Sequence, residues 1–297
     1  MGMLEGKAVV ITGSGRGIGA ACAMGAARQG ASLVINDIDA GLAEQTAQAI
    51  RSRGGSAIAC AADIADWRDA ARPIEACLDA FGRIDGLVNN AGLAHVTRLA
   101  EFEPGQARDL IAVNVLGSLH CAAHAVKPML AQRSGSIVNV TSGAHMGLPG
   151  LGAYAASKGA VASMVYCWAM ELAGTGVRAN ALSPIAAGTG MSADDPQGQP
   201  PEANSAVVEY LLSDRAAGVN GQIVRIDGRE IHLCTHPALL LPPAVNQTWT
   251  AGSVADAFDA DLKNRLVPCG MMGIHSLPVP VGANGRAQPR PGPGPTR

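Results

Sequence analysis

At 297 residues the chain is long for one domain but within reach of a single large α/β unit carrying an appendage. Hydrophobic residues make up 48% and aromatic residues only 3%. The core must therefore be built from Ala, Val, Ile and Leu, which suits a parallel sheet covered by small-residue helices. A formal net charge of −2 leaves no basic footprint for nucleic acid and no polybasic patch for a membrane. Seven scattered cysteines with no C-x-x-C pair read as small interior hydrophobes, which fits a reducing compartment. No leader pattern precedes the first strand pattern and no apolar run looks long enough to span a bilayer, so a soluble, cytoplasmic protein is expected.

Residues 8–12 form a short β-branched run that leads into Gly13-Ser14-Gly15-Arg16-Gly17-Ile18-Gly19 and an Ala-rich helical stretch ending near Gly30. Strand, Gly-rich turn and helix in that order are the context of a dinucleotide-binding fingerprint: glycines admit a pyrophosphate and the helix N-terminus attracts its charge. The same turn can also be a tight β-α connection that binds nothing. The next strand, 31–35, ends at Asn36-Asp37. An acid about 20 residues beyond the turn suits the adenosine ribose hydroxyls and repels a 2′-phosphate, so Asp37 favours NAD over NADP. Arg16 pulls toward NADP, and Asp37 has a second reading as a cap, with Asp39, of the following helix.

A helix over 42–53, a strand over 57–61 ending at Asp63-Ile64, a helix over 66–81 capped by Asp66, and a strand over 84–88 ending at Asn89-Asn90-Ala91-Gly92 continue the alternation. This pattern predicts a doubly wound, Rossmann-like parallel sheet with helices on both faces and ligands at the carboxyl ends of the strands. Residues 104–132 read as one long helix holding Asn114, which is either on the surface or a device with buried partners. His120 and His124 stand i,i+4 on it, a spacing that suits a metal, but no third ligand accompanies them and a helix face or subunit contact is the plainer reading. A strand over 135–140 ends at Thr141-Ser142.

The helix expected over 152–173 carries Tyr154 and Lys158 at i and i+4, on one face. An ammonium beside a phenol lowers its pKa, which makes the pair a plausible proton donor and acceptor. Such pairs also occur on ordinary solvated helices.

Taken together, Thr12-Gly13-x-x-x-Gly17-Ile18-Gly19, Asn89-Asn90-Ala91-Gly92, Asn114, Ser142, Tyr154-x-x-x-Lys158 and Pro184-x-x-x-x-Thr189 resemble the short-chain dehydrogenase/reductase family over about residues 6–228. The resemblance implies an NAD(P)-dependent oxidoreductase of CH–OH groups with Tyr154 as general acid/base. Lys158 would hold the nicotinamide ribose, Ser142 the substrate oxygen, and Asn114 a water in a proton relay. Asp63 and Ile64 would meet the adenine; Asn89 and Gly92 would shape the floor of the cofactor site, with Asn90 and Ala91 also binding the cofactor; Pro184, Ile185 and Thr189 would lie near the nicotinamide. Hydride passes between nicotinamide and a carbonyl carbon. No metal is implied, and a homo-oligomer, dimer or tetramer, is expected through the helices of Asn114 and Tyr154, where Ala122, Ala123, Ala160 and Ala162 permit close approach.

Three departures from the family pattern stand out. The segment between Ser and Tyr is one residue short, so a gap-free alignment puts Thr141 in the catalytic slot, which counting along the strand assigns to Ser142. Ile185 replaces the usual Gly after Pro184, and residues 189–201 are a short Gly/Pro/Asp-rich stretch where a longer lid is common. After a helix over 203–212 and a last strand over 219–224, the chain divides into a catalytic unit 1–228, an extension 229–277 with an amphipathic piece at 254–262 that could act as lid or subunit contact, and a Pro/Gly-rich tail 278–297 expected to be disordered. A looser likeness to the 3-hydroxyacyl-CoA dehydrogenase unit of multifunctional enzyme type 2 implies a bulky lipid-like substrate, a 3-hydroxyacyl-CoA or a hydroxysteroid. His95, His145, Leu148 and Met191 are the side chains expected near it. An NADP-dependent ketoreductase and a cofactor-binding scaffold or regulator are the alternatives.

Overall fold

A computed structural model describes residues 2–184, 200–227, 230–239 and 241–266. Ile185, Thr189, Met191 and the tail 278–297 lie outside the described residues. The strands β1 (Ala8–Ile11), β2 (Ser32–Asp37), β3 (Ser56–Ala61), β4 (Gly86–Asn89), β5 (Gly135–Val140), β6 (Val177–Ser183), β7 (Ile223–Asp227) and β8 (Glu230–Leu233) form one sheet in the order β3-β2-β1-β4-β5-β6-β7-β8. Every pairing is parallel except β7 with β8.

The pleat sorts each strand's side chains onto two faces. Val9, Ile11, Leu33 and Ile35 join one buried cluster, packed with Cys22 and Ala26 of α1 (Gly17–Arg28), Ile50 of α2 (Ala40–Arg51) and Leu211 of α7 (Ser205–Leu212). Val10 and Val34 point the other way, to Ile74 and Cys77 of α3 (Arg72–Phe81) and Cys121, Ala125 and Met129 of α5 (Ser118–Gln132). The expected three-layer architecture results, with the crevice where strand order reverses, between β1 and β4.

The long helix expected over 104–132 is continuous but not uniform. It runs as α4 (Pro104–Leu110), a π-helical turn Ile111–Gly117, and α5. That stretch of 29 residues holds an 18-residue window of mean hydropathy 1.3 and is long and apolar enough to cross a membrane by length and composition, contrary to the sequence expectation that no run would be. Cys121, Ala125 and Met129 spend one apolar face of it on the sheet, while Ile111, Leu116 and Leu119 leave another partly exposed.

The helix expected over 66–81 starts later, as a 3-10 turn and then α3, although Asp66 does cap the turn, accepting from the Arg68 and Asp69 amides at 2.8 and 2.9 Å. The last parallel strand begins at Ile223 rather than 219, because Asn220 and Asn180 side chains take over ladder positions: Ala179 N donates to Asn220 Oδ1 and Gln222 N to Asn180 Oδ1, both at 2.9 Å. The antiparallel β8, four residues at the start of the stretch read from sequence as an extension, belongs to the first compact unit, Met1–Leu239. The second unit, Leu240–Arg297, contains α8 (Ala251–Ala260), started by a Thr250–Ser253 capping box.

Candidate active site

The turn after β1 is packed so tightly that side chains are excluded. A Cβ on Gly13, whose φ is 59°, would sit 2.6 Å from Ala91 Cα, and one on Gly19 would strike the Gly13 carbonyl and the Asn90 amide. Asn90 fastens the turn from the β4 side, donating to the carbonyls of Thr12 (3.0 Å) and Gly13 (2.8 Å), while Thr12 Oγ1 accepts from the Asn90 and Ala91 amides at 3.1 Å. The first turn of α1, with Gly17, Ile18 and Gly19, has no side-chain cap and no acidic residue, and Arg16 is exposed beside it. An uncapped helix N-terminus on a glycine turn, with no acidic residue in the helix's first turn, fits a diphosphate.

Asp37 lies at the carboxyl end of β2 and takes Gly15 N on Oδ2 at 3.0 Å and Asp39 N on Oδ1 at 3.2 Å. The cap of α2 is Asp39, which accepts from Gly41 and Leu42. The two readings of Asp37 thus separate: it braces the glycine turn and leaves the helix to its neighbour. Asp63 follows β3 and accepts from Ala65 N at 2.9 Å, and Ile64 is buried beside it.

Across the crevice four side chains converge. Asn114 is fully buried in the π turn; its Oδ1 accepts from Leu93 N (2.7 Å), and its Nδ2 donates to Leu93 O and Ser157 Oγ (both 2.9 Å). It is the device with partners, holding the loop after β4 against α6 (Gly152–Glu171), and the extra residue in the π turn accompanies that placement. Ser157, which donates on to Tyr154 O at 2.7 Å, was not singled out in the sequence. Its only signal was a hydroxyl one residue before Lys158.

The Tyr154 phenol faces the Ser142 side chain. Ser142 ends the extended chain after β5 and accepts from Ala144 N at 3.2 Å, and its carbonyl is held by the His145 ring. Thr141, the alternative, is buried with its hydroxyl turned to the Leu182 carbonyl of β6 at 3.4 Å. The Ser–Tyr segment contains the 3-10 turn Gly143–Met146.

Lys158 is buried, with Nζ 2.8 Å from Val140 O and 5.9 Å from the Tyr154 ring centroid. A Cβ on Gly92 would lie 3.4 Å from that Nζ, so the glycine keeps the ammonium's surroundings open. Burial lowers the lysine pKa to about 8. The phenol departs from the sequence expectation. Burial pushes Tyr154 above its ordinary value, the Ser142 side chain pulling only partly back, because Lys158 turns its charge to a carbonyl instead of to the phenol oxygen.

Among the other predicted positions, Pro184 follows β6 directly. Leu148 and His95 are half-buried on segments joined by Thr97 N to Gly150 O at 2.8 Å, so the two loops expected to meet substrate do abut. Ala122 and Ala162 are only 4% exposed inside their own fold and are not available to a partner. Among the described residues no group of three potential metal ligands occurs.

Comparison with known proteins agrees with this geometry. Residues 7–200 match the family described as short chain dehydrogenase. The 2-(S)-hydroxypropyl-CoM dehydrogenase 3 of Xanthobacter autotrophicus is 35% identical over 76% of this chain and 96% of its own length. A 3-oxoacyl-(acyl-carrier-protein) reductase of Thermotoga maritima is 34% identical over 76% and 98%. Among solved structures, a short chain dehydrogenase from Mycobacterium avium superposes with a TM-score of 0.81, at 29% identity over 90% of this chain and 98% of its own. A gluconate 5-dehydrogenase from Burkholderia cenocepacia in complex with NADP and tartrate does so with a TM-score of 0.71, at 32% identity over 76% and 95%.

Proposed function

Since the chain belongs to the short-chain dehydrogenase/reductase family and is an oxidoreductase of secondary alcohols, we propose that it is NAD-dependent, acts on a bulky lipid-like alcohol or ketone, and uses Tyr154, Ser142, Lys158 and Asn114 for the proton. The observation that carries the proton assignment is the approach of the Ser142 side chain to the Tyr154 phenol at the carboxyl edge of the sheet, with the buried Lys158 behind it.

Bound nicotinamide supplies the hydride. In the reductive direction Tyr154, kept neutral by burial, donates its phenolic proton to the carbonyl oxygen that Ser142 also holds. Lys158, charged at neutral pH, stabilises the phenolate that results. Asn114 keeps the loop after β4 and α6 in register around that proton path.

Asp37 supports NAD. Fixed on the glycine turn by Gly15 N, it cannot swing away from a 2′-phosphate, and like charges there cost more than leaving Arg16 solvated. The NADP in the gluconate dehydrogenase complex favours the second reading, an NADP-dependent ketoreductase. A lipid-like substrate is supported by the apolar approach: Leu93, Val96, Leu99 and Phe102 are all exposed along the loop that meets Gly150. A homo-oligomer is supported by Ile111, Leu116 and Leu119, each about 40% exposed on the Asn114 helix.

The test is turnover of 3-hydroxyacyl-CoAs, hydroxysteroids and small sugar acids with NAD(H) and NADP(H), beside Tyr154→Phe. NAD-linked turnover of the lipid-like compounds that disappears in the variant is expected. Turnover with NADP(H) alone overturns the cofactor assignment, and turnover of the sugar acids alone overturns the substrate class.

A further inference from the structure

His120 and His124 project from α5 toward the segment that follows β3. His120 Nδ1 lies 3.1 Å from the Ile64 carbonyl oxygen and His124 Nε2 lies 3.0 Å from the Trp67 carbonyl oxygen. Carbonyls only accept, so each of these nitrogens carries a proton, and the pair reads as two donors at one helical turn's spacing. The Trp67 ring packs on both imidazoles, its centroid 4.2 Å from that of His124 in a tilted stack and 5.4 Å from that of His120 edge-on. Earlier on the same helix, Gly117 admits the Ile64 side chain, since a Cβ there would stand 2.7 Å from Ile64 Cδ1.

The segment's own bonds are short in range. Asp63 Oδ1 takes Ala65 N at 2.9 Å, Asp69 Oδ2 takes Asp63 N at 3.0 Å, and Asp66 takes Arg68 and Asp69. Such bonds curl the loop, whose start is fixed through Ala62, its amide donating to the Asp37 carbonyl and its carbonyl accepting from Asn36 Nδ2, both at 3.2 Å. The bonds from α5 reach 56 and 57 residues along the chain, and they tie the curl to the same continuous helix whose π turn carries Asn114.

We propose that His120 and His124 are positioning residues for the adenosine end of the dinucleotide, pinning the Asp63–Ile64 segment so that its ordering is complete before the nucleotide arrives. The proposal rests on the reading of Asp63 and Ile64 as the adenine contacts. A loop already ordered loses little freedom on binding, so releasing it weakens the adenosine half of the ligand and spares the nicotinamide half.

The experiment measures the affinity of the full chain for NAD, for ADP and for nicotinamide mononucleotide by calorimetry, with kcat and KM for the dinucleotide. It compares the native chain with H120L/H124F, which removes both donors, and with H120N/H124Q, whose amide nitrogens stand near the positions of Nδ1 and Nε2. Two lost hydrogen bonds correspond to about a tenfold weaker affinity for NAD and ADP. Affinity for nicotinamide mononucleotide and kcat at saturating cofactor are expected to stay within about twofold, and H120N/H124Q is expected to recover most of the loss. Should H120L/H124F melt at assay temperature, the single variants H124L and H124Q carry the same contrast. Unchanged ADP affinity in the donor-free variant, or a loss shared equally by nicotinamide mononucleotide, overturns the proposal alone. A native chain that binds NAD but not ADP removes the adenine reading, and the proposal falls with it.

Discussion

The two ends of the sheet treat charge in opposite ways. At the amino end, Asp85 is buried but saturated: Arg83 reaches it through two nitrogens at 2.7 Å each, and Ala8 N donates to it at 3.0 Å. Nearby, Arg178 gives its guanidinium to the carbonyls of Leu211 and Ser213 at 3.0 and 3.2 Å, closing the end of α7. At the carboxyl end, Lys158 is buried against a carbonyl, and among the described residues no carboxylate pairs with it. Lowering a lysine pKa from 10.5 to about 8 corresponds to roughly 3 kcal/mol of destabilisation. One end is built for the fold, and the other holds groups that the fold alone would not choose.

The largest effect that sharpens this contrast is on turnover. Tyr154→Phe is expected to lower kcat by about 10³-fold or more, with an unchanged melting temperature, as read by steady-state kinetics and circular dichroism. Because the native phenol titrates above its ordinary value, alcohol oxidation should climb with pH through the alkaline range while ketone reduction falls. A flat pair of profiles would mean that Tyr154 is not the group exchanging the proton.

Next comes Ser142→Ala, expected to cost about 10²-fold in kcat through loss of one oxygen-binding donor. Lys158→Met should also lose activity but gain stability, by about 1–3 kcal/mol at pH 7 in urea melts. The pH course has a fixed sign. Below about 8 the lysine is protonated folded and unfolded, so the native chain carries the whole penalty; between 8 and 10.5 the unfolded chain binds more protons, so native stability rises relative to the variant's. The variant's advantage should therefore shrink across that window. An advantage that is absent, or constant up to pH 10.5, would refute the buried-charge account.

At the other end of the sheet, Asp85→Ala is expected to cost about 2–3 kcal/mol of stability, since it orphans Ala8 N and an Arg83 bound through two nitrogens, and to leave kcat/KM within twofold. The smallest expected effect is that of Thr141→Val: less than about threefold in kcat, because its hydroxyl makes one long bond to Leu182 O. A Thr141→Val loss as large as that of Ser142→Ala would return the catalytic slot to Thr141.

Sequence alone determined the alternation of strands and helices, the glycine turn, and the Tyr154–Lys158 spacing, because each is set within one turn or one pleat of the backbone. It also placed the glycine turn, Asp37, Asp63 and Asn89-Asn90-Ala91-Gly92 at strands' carboxyl ends, since that follows from the β-α order. Tertiary structure decided what depends on distant partners. Asn220 and Asn180 displaced the start of β7, and β8 appeared as an edge strand whose Glu-Ile-His-Leu alternation is only four residues long, too short to announce it. Ser142 rather than Thr141 met Tyr154 because neighbouring residues on an extended chain point to opposite sides, and only the position of α6 fixes which side is the site. Likewise, Ala122 and Ala162 looked like a partner's surface until the sheet covered them, and the direction of the Tyr154 shift reversed once burial and the aim of Lys158 were known. Periodicity tells which residues share a face; what that face meets is settled only when the layers close.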